Sequence, residues 1–445
     1  MERSIALKVS ALLAENGFSL DELVLKTKEL FDREGMAGFV GLLLDLVDAH
    51  LCTTLIHKTG DWRRAPCCEH AAYELDRRVA RRLRTSIGTI HLRWRRLRCT
   101  HCGRSFLPLR EFLGLERYQS KTSELERIVT EVVAEQNYRR LSRELALIGM
   151  IPVPKSTAHR WVALSDCDEI ATGGKSAQEL LADGTGYKRR PDASAGVNNH
   201  GELRVMLGVG PSGTVIPLGA WSGKSWEEIG QAIAPATAET GPIADVLVSD
   251  GEQGLAEGLA HLANDQQRCH WHQIHQLGYF MWRDKAPQDD RRAAQHQLAG
   301  IIGIELPRQD FKMVVEEDKS ALEQTIAAAE EKLDELVAGL VSRGYHQAAN
   351  YIRYAKDKLF TYVRLWLKCG LVSPRVSSLI ERMMREIGRR LKRIAFGWSE
   401  AGAAKMARII IKRITSAGEW NAHWHKKLRI TGQVTLTYNG THATA

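Results

Sequence analysis

Two aspartates of this 445-residue chain share one setting, Asp183 in "LLADGTG" and Asp250 in "VLVSDGEQG". Each ends an apolar run and is followed by glycine, so each carboxylate is expected at a strand terminus with room for a ligand beside it. Asp-Gly is also an ordinary turn dipeptide, and a single copy would imply no more than a turn. Two copies in one segment imply more. On neighbouring strands the carboxylates would lie close together and repel unless a cation separated them. Mg²⁺ suits that place, because it binds through one or two carboxylates plus phosphate oxygens, and a pair of such ions serves phosphodiester chemistry. A third acid is needed to complete the shell, and Glu381 and Glu386 are the candidates. They stand about 140° apart on a helix, so both cannot face one ion. Ser378-x-x-Glu381 is also a capping-box pattern, which explains that glutamate without chemistry.

Two other groups have metal-binding residue types. "RCHWHQIHQ" (268–276) holds Cys269, His270, His272 and His275. Read as a strand, it turns Cys269 and His270 to opposite faces, so a catalytic zinc with converging ligands is not expected there. Nearer the N-terminus, Cys67-x-x-His70 and Cys99-x-x-Cys102 have zinc-ribbon spacing, with Cys68 able to replace Cys67. A small β-unit without much core would need a structural Zn²⁺ to hold it together.

The elements that carry these residues follow from periodicity and composition. Residues 1–60 read as an N-terminal helical segment, its first helix beginning at Ser19 with Glu22 three residues on. Residues 61–112 form the zinc-ribbon unit, where "GTIHLRWRRL" alternates Ile90, Leu92 and Trp94 against His91, Arg93 and Arg95. Residues 113–172 hold three helices with a tight break before "KSTAHRWVAL", which fits a helix-turn-helix presenting Lys155, His159 and Arg160 to DNA. After a linker at 171–178, residues 173–282 alternate strands and helices and predict a mixed sheet covered by helices. Residues 283–370 are helical and charged. Residues 371–415 open on an amphipathic helix with Ile380, Met383, Ile387, Leu391 and Ile394 on one stripe. The tail, 416–445, groups Trp420, His423, Trp424 and His425, for which a nucleic-acid contact is the one available reading.

Lys and Arg number 62 against 53 Asp and Glu, a net charge of +9, and the excess is clustered. From Arg77 to Arg98 the chain is dense in arginine and free of acids, and "RRLKR" occupies 389–393. Such density suits a phosphate-bearing polymer. Within it Arg93, Arg95 and Arg96 are the expected DNA contacts. With no run of eighteen apolar residues, no membrane span is expected, and eight cysteines without a secretory signal suit the cytoplasm.

Together these residues resemble a family. An Asp-Gly ending a first strand, a second Asp after a hydrophobic strand, the Cys269-x-x-His272 pair and a helical stretch before a Ser-Ser-x-x-Glu helix look like the DDE transposases. The resemblance is greatest to the Mutator-like group of bacterial insertion-sequence transposases, and runs from about 173 to 415. It implies an RNase H-like catalytic domain interrupted by a helical insertion at 283–370. It makes Asp183, Asp250 and Glu381 the acids that bind two Mg²⁺ ions, with Mn²⁺ as a substitute, and gives Cys269 and His272 a place beside them. The zinc ribbon and helix-turn-helix resemble the parts with which related transposases hold transposon ends. The same resemblance implies hydrolysis at each end and attack of the freed 3′-hydroxyl on target DNA. It also implies double-stranded DNA as partner and a homodimer or larger assembly at the bacterial nucleoid. The rivals are a domesticated DNA-binding regulator and an RNase H-like nuclease that never joins strands.

Overall fold

Arginine alternating with apolar residues decides the first sheet. A computed structural model describes residues 19–31, 35–59, 65–171, 177–190, 199–233, 241–308, 310–392 and 396–430. The chain is mixed α/β and divides into two units, residues 1–164 with 424–445, and residues 165–423. In the first, α1 (Leu20–Leu30) and α2 (Met36–His57) precede β1 (Tyr73–Thr85), β2 (Gly88–Cys99) and β3 (Ser105–Phe106), an antiparallel sheet in that order. Ser19 caps α1 as expected, accepting from the Glu22 N–H at 3.0 Å. Ile90, Leu92 and Trp94 are buried with Leu51 of α2 and Leu109 of α3 (Pro108–Phe112). Among the described residues α2 is the one helix long and apolar enough to cross a membrane by length and composition alone, although Asp45 and Asp48 interrupt its apolar run. Its buried Asp48 is paired with Arg95 of β2 at 3.1 Å.

Helices α4 (Ser123–Glu135), α5 (Leu141–Leu147) and α6 (Lys155–Leu164) complete this unit around Leu125, Val129, Leu145 and Trp161. The sheet is stitched to them by main-chain bonds, Arg84 N–H to Ser120 O and Thr122 N–H to Arg84 O, both 2.9 Å. Segments expected to part at residue 112 therefore share one unit.

The second unit is built on β4 (Ala177–Lys188), β5 (His200–Val209), β6 (Val215–Ser222), β7 (Ala244–Ser249) and β8 (Ala263–Arg268), with α7 (Trp226–Ile233) and α8 (Gln253–Gly258) between the later strands. The order is β6-β5-β4-β7-β8. β4, β5 and β6 pair antiparallel, whereas β4, β7 and β8 run parallel. One face buries Leu180, Ala182 and Leu247 against Ile229 and Leu255 of α7 and α8. α9 (His270–Arg283), α10 (Gln288–Ile302), α11 (Glu316–Ser342), α12 (His346–Ala355) and α13 (Thr361–Cys369) enclose a separate core that includes Leu277, Leu333, Phe360 and Trp366. Those helices begin at residue 270, so the expected boundary at 282 falls inside α9. α14 (Ser378–Leu391) packs on β4 and α15 (Glu400–Thr415) on β6. Ile380, Met383, Ile387 and Leu391 are buried as their stripe requires. The division between units falls at Trp424, within α16 (Ala417–Leu428).

Two further expectations change. "RCHWH" is not a strand, because β8 ends at Arg268 and α9 starts at His270. Trp420 and Trp424 are 4% and 0% exposed, so they serve packing and not nucleic acid. Ile394, Arg393, most of the 171–178 linker and the tail past 430 lie outside the described residues.

Candidate functional site

β4 and β7 are parallel neighbours with Leu181 opposite Val248, and continuing that register sets Asp183 level with Asp250. Asp250 does follow its strand directly. Asp183 does not end its own, since β4 continues to Lys188 along β5, with Asp183 opposite Val205. The opening comes instead from β7, which stops at Ser249 and does not pair with β4 beyond Leu181; Trp398 bridges that edge again at Arg189. The Asp250 carboxylate accepts from the Glu252 N–H at 2.9 Å across a turn with Gly251 at φ +80°. A side chain at 251 would be strained and would also strike the Arg268 guanidinium. That dipeptide is both turn and site. Burial, followed by the neighbouring Asp250 charge, pushes Asp183 up to about 6, and Glu381 adds to the rise. A carboxylate so placed gains by the arrival of a cation.

Glu381 stands in the first turn of α14. The capping-box reading of it fails, because the cap residue is Ser377 and its side chain makes no capping bond. Ser377 is only 2% exposed, and its hydroxyl lies 3.1 Å from Glu381 Oε1, 3.3 Å from Cys269 Sγ and 3.5 Å from His272 Nδ1. The Ser377 N–H also donates to Cys269 Sγ at 3.3 Å. Ser377 therefore ties the start of α14 to the start of α9, and it holds one oxygen of Glu381. Sequence reasoning missed it. Its only signal was the Ser-Ser-x-x-Glu string, which also reads as a helix cap. Glu386 pairs with Arg389 at 2.8 Å, on the same helix.

Cys269 and His272 converge because they flank a helical turn, Cys269 at the N-cap of α9 and His272 in its first turn. His272 Nδ1 is 3.8 Å from Glu381 Oε1, and the ligand atoms of Cys269, His272 and Glu381 lie within 4.8 Å of one another. The group could hold a metal ion, which a strand would have prevented. Burial opposes charge on both side chains. Hydrogen bonds from His272 and Ser377 nevertheless hold the Cys269 thiol below its usual range, while that sulfur, Asp250 and Glu381 hold His272 above its own. His270 takes no part. Burial lowers it to about 4, and its Nε2 meets the Leu359 carbonyl at 2.8 Å. His275 is exposed and stacks on Trp271.

In the first unit Cys67, Cys68, Cys99 and Cys102 place their sulfurs within 4.8 Å of one another and could hold a metal such as zinc. Cys67–Cys102 is 3.4 Å and Cys68–Cys99 is 3.8 Å. Tetrahedral zinc with Zn–S near 2.3 Å puts its sulfurs about 3.8 Å apart, so the set fits. This corrects the expected ligands. Both adjacent cysteines belong, and His70 stays outside, its ring against His101 at 5.2 Å. The main-chain N–H of Cys102 pulls the Cys99 thiol down to about 6, which readies one sulfur to bind as thiolate.

The expected DNA contacts separate into two groups. Arg93 of β2 and Lys155, His159 and Arg160 of α6 are exposed. Arg95 is held by Asp45 and Asp48 at 3.0 and 3.1 Å, and Arg96 by Asp76 at 3.0 Å, so both are neutralised within the fold. Arg82, Arg84 and His91 lie in the arginine-dense run but were not among the individually expected contacts. They line a cavity of about 420 Å³ with Thr157, Arg160 and Trp161, and no carboxylate is among the lining residues. No family model matches this chain, and no curated protein matches it.

Proposed function

We propose that the protein is a DNA transposase that binds transposon ends, cleaves there, and joins the freed 3′-hydroxyl ends to target DNA. The observation that carries this reading is Asp183 level with Asp250 on adjoining parallel strands, with Glu381 near enough to raise the Asp183 pKa. The strand order β6-β5-β4-β7-β8, antiparallel then parallel, supports an RNase H-like core, and α9 to α13 supply its helical insertion. Asp183, Asp250 and Glu381 would hold Mg²⁺. Bound there, the metal would supply activation of the attacking oxygen and stabilisation of the leaving one. The residues themselves do the positioning. Ser377 fixes one oxygen of Glu381, and the turn at Gly251 aims Asp250 past the end of its strand. Water opens the phosphodiester at each end first, and the 3′-hydroxyl so released then displaces a target 3′-oxygen, one bond forming as one breaks.

The cavity with Arg82, Arg84 and Arg160 supports DNA as partner, since three guanidiniums converging without an acid favour a polyanion. Planar guanidinium forks suit phosphate oxygens. A structural zinc on the four thiols would brace the strands that present those arginines.

The test is a plasmid carrying this gene with its native flanking DNA, sequenced across junctions for wild type, Asp183→Asn, Asp250→Asn and Glu381→Gln. Excised or inserted junctions that vanish in all three variants are expected. A wild type that shifts its flanking DNA in a gel but forms no junctions would instead favour the regulator. Cut ends without joined products would favour a nuclease.

A further inference from the structure

Helix α9 buries one side and presents aromatic rings on the other. Gln273, Leu277, Gly278 and Met281 turn inward. Trp271, Tyr279 and Trp282 are 50%, 54% and 58% exposed, and His275 is exposed beside them. At 100° per residue the four fall within about 80° of the helix circumference and extend about 16 Å along its axis. They make two pairs. Trp271 and His275 have centroids 5.0 Å apart and planes within 8°, and Tyr279 and Trp282 are 5.9 Å apart at 28°. Scattered exposed aromatics need no explanation, but a row of stacked ones does.

The surroundings narrow the occupant. At one end Trp271 meets the His272 ring edge-on at 4.8 Å, and His272 in turn adjoins Glu381. At the other end Arg283 and Lys285 are exposed and in no ion pair among the described residues. The aliphatic residues of α9 face elsewhere, Leu277 and Met281 within the core and Ile274 packed against it. Aromatic rings with exposed cations at one end are a composition that binds bases and phosphates together.

We infer that the α9 stripe is a stacking platform for unpaired bases of DNA whose strand runs through the carboxylate site. Bases inside a duplex offer only their edges, so the platform engages a strand that has left its partner. It rests on the function proposed above in taking DNA as the ligand and the carboxylate site as its path. It adds a requirement: the DNA beside that site must open.

The experiment measures fluorescence anisotropy of a labelled oligothymidylate and of a blunt duplex with the full chain, in buffer free of divalent ions. Trp271→Leu and Trp282→Leu keep bulk at exposed positions while removing the π face, and Trp271→Phe keeps a ring. Each leucine variant is expected to lose roughly tenfold in oligothymidylate affinity, with the phenylalanine variant near wild type. Duplex affinity, supplied by the arginines of the first unit, stays unchanged. Unchanged oligothymidylate affinity in both leucine variants overturns the inference. So does a drop in assembly mass by light scattering with affinity intact, which would make the stripe a contact between copies. Failure of the transposase reading is visible separately, as leucine variants that lose oligothymidylate affinity while the wild type itself forms no junctions.

Discussion

The thiol cluster and the carboxylate site are built in opposite ways. Cys67 and Cys68 precede one strand, Cys99 ends the next, and Cys102 follows at the turn, so a single hairpin register, Tyr73 opposite Cys99, brings all four together. The carboxylate site takes Asp183 from β4, Asp250 from β7 and Glu381 from α14, with the whole α9–α13 core between the last two in sequence. The first needs only local chain closure, and the second needs the sheet and its helices complete. Metal is therefore expected to hold the first together, whereas the second is held by hydrogen bonds such as those of Ser377.

The largest effect should test that contrast directly. A chelator selective for zinc should remove one equivalent per chain, measured by elemental analysis, and abolish the calorimetric transition of the first unit while leaving that of the second. Structural zinc sites bind with about 10 kcal/mol or more, so the hairpin should not survive its loss. Cys68→Ser should lose the zinc and His70→Ala keep it; the reverse pattern would restore His70 as a ligand. Next, Glu381→Gln should slow strand cleavage about a thousandfold, roughly 4 kcal/mol of transition-state stabilisation. Glu386→Gln, altering an acid already paired with Arg389, should stay within about twofold. Equal losses in both would mean that the fold had not chosen between the two acids.

A smaller effect separates an acid buried for chemistry from one buried by folding. Glu179 sits on the same strand as Asp183, is 8% exposed, and is raised to about 7 by burial. Below pH 4.5 both folded and unfolded chains carry its proton, and it imposes no penalty. As pH climbs toward 7 the unfolded chain loses that proton first, so stability falls, by roughly 3 kcal/mol once both are ionised. Glu179→Gln should thus melt higher than wild type at about pH 8 and alike at about pH 4; a difference that grows toward acid would reverse the sign and refute the burial argument. Smallest is Ser377→Ala, expected to cost about tenfold in cleavage, near 1.4 kcal/mol. It should also weaken Mn²⁺ binding followed by electron paramagnetic resonance, and Ser377→Thr should restore both. A variant that melts lower with its Mn²⁺ affinity intact would reduce Ser377 to a packing residue.

Much was legible in the residues alone. Alternation in "GTIHLRWRRL" determined which face of β2 is buried, because a strand has a period of two whatever it packs against. The stripe on α14 determined its inward side for the same kind of reason. Cysteine spacing marked a cluster that could hold a metal, although only the hairpin register decided that both Cys67 and Cys68 join it and His70 does not. Side-chain partners were beyond reach. Arg95 and Arg93 look alike in the string, and it is α2, with Asp45 and Asp48, that neutralises one of them and leaves the other exposed. "RCHWH" could be strand or helix by local preference, and the outcome reversed its meaning: a helical turn aims Cys269 and His272 together, where a strand would not have joined them to Glu381. What the sequence determined by itself were the periods and local spacings, which depend on backbone geometry a few residues long. Which acid stands beside Asp183, and which serine holds it, only the tertiary structure decided, since those contacts are set by strands and helices distant in the chain.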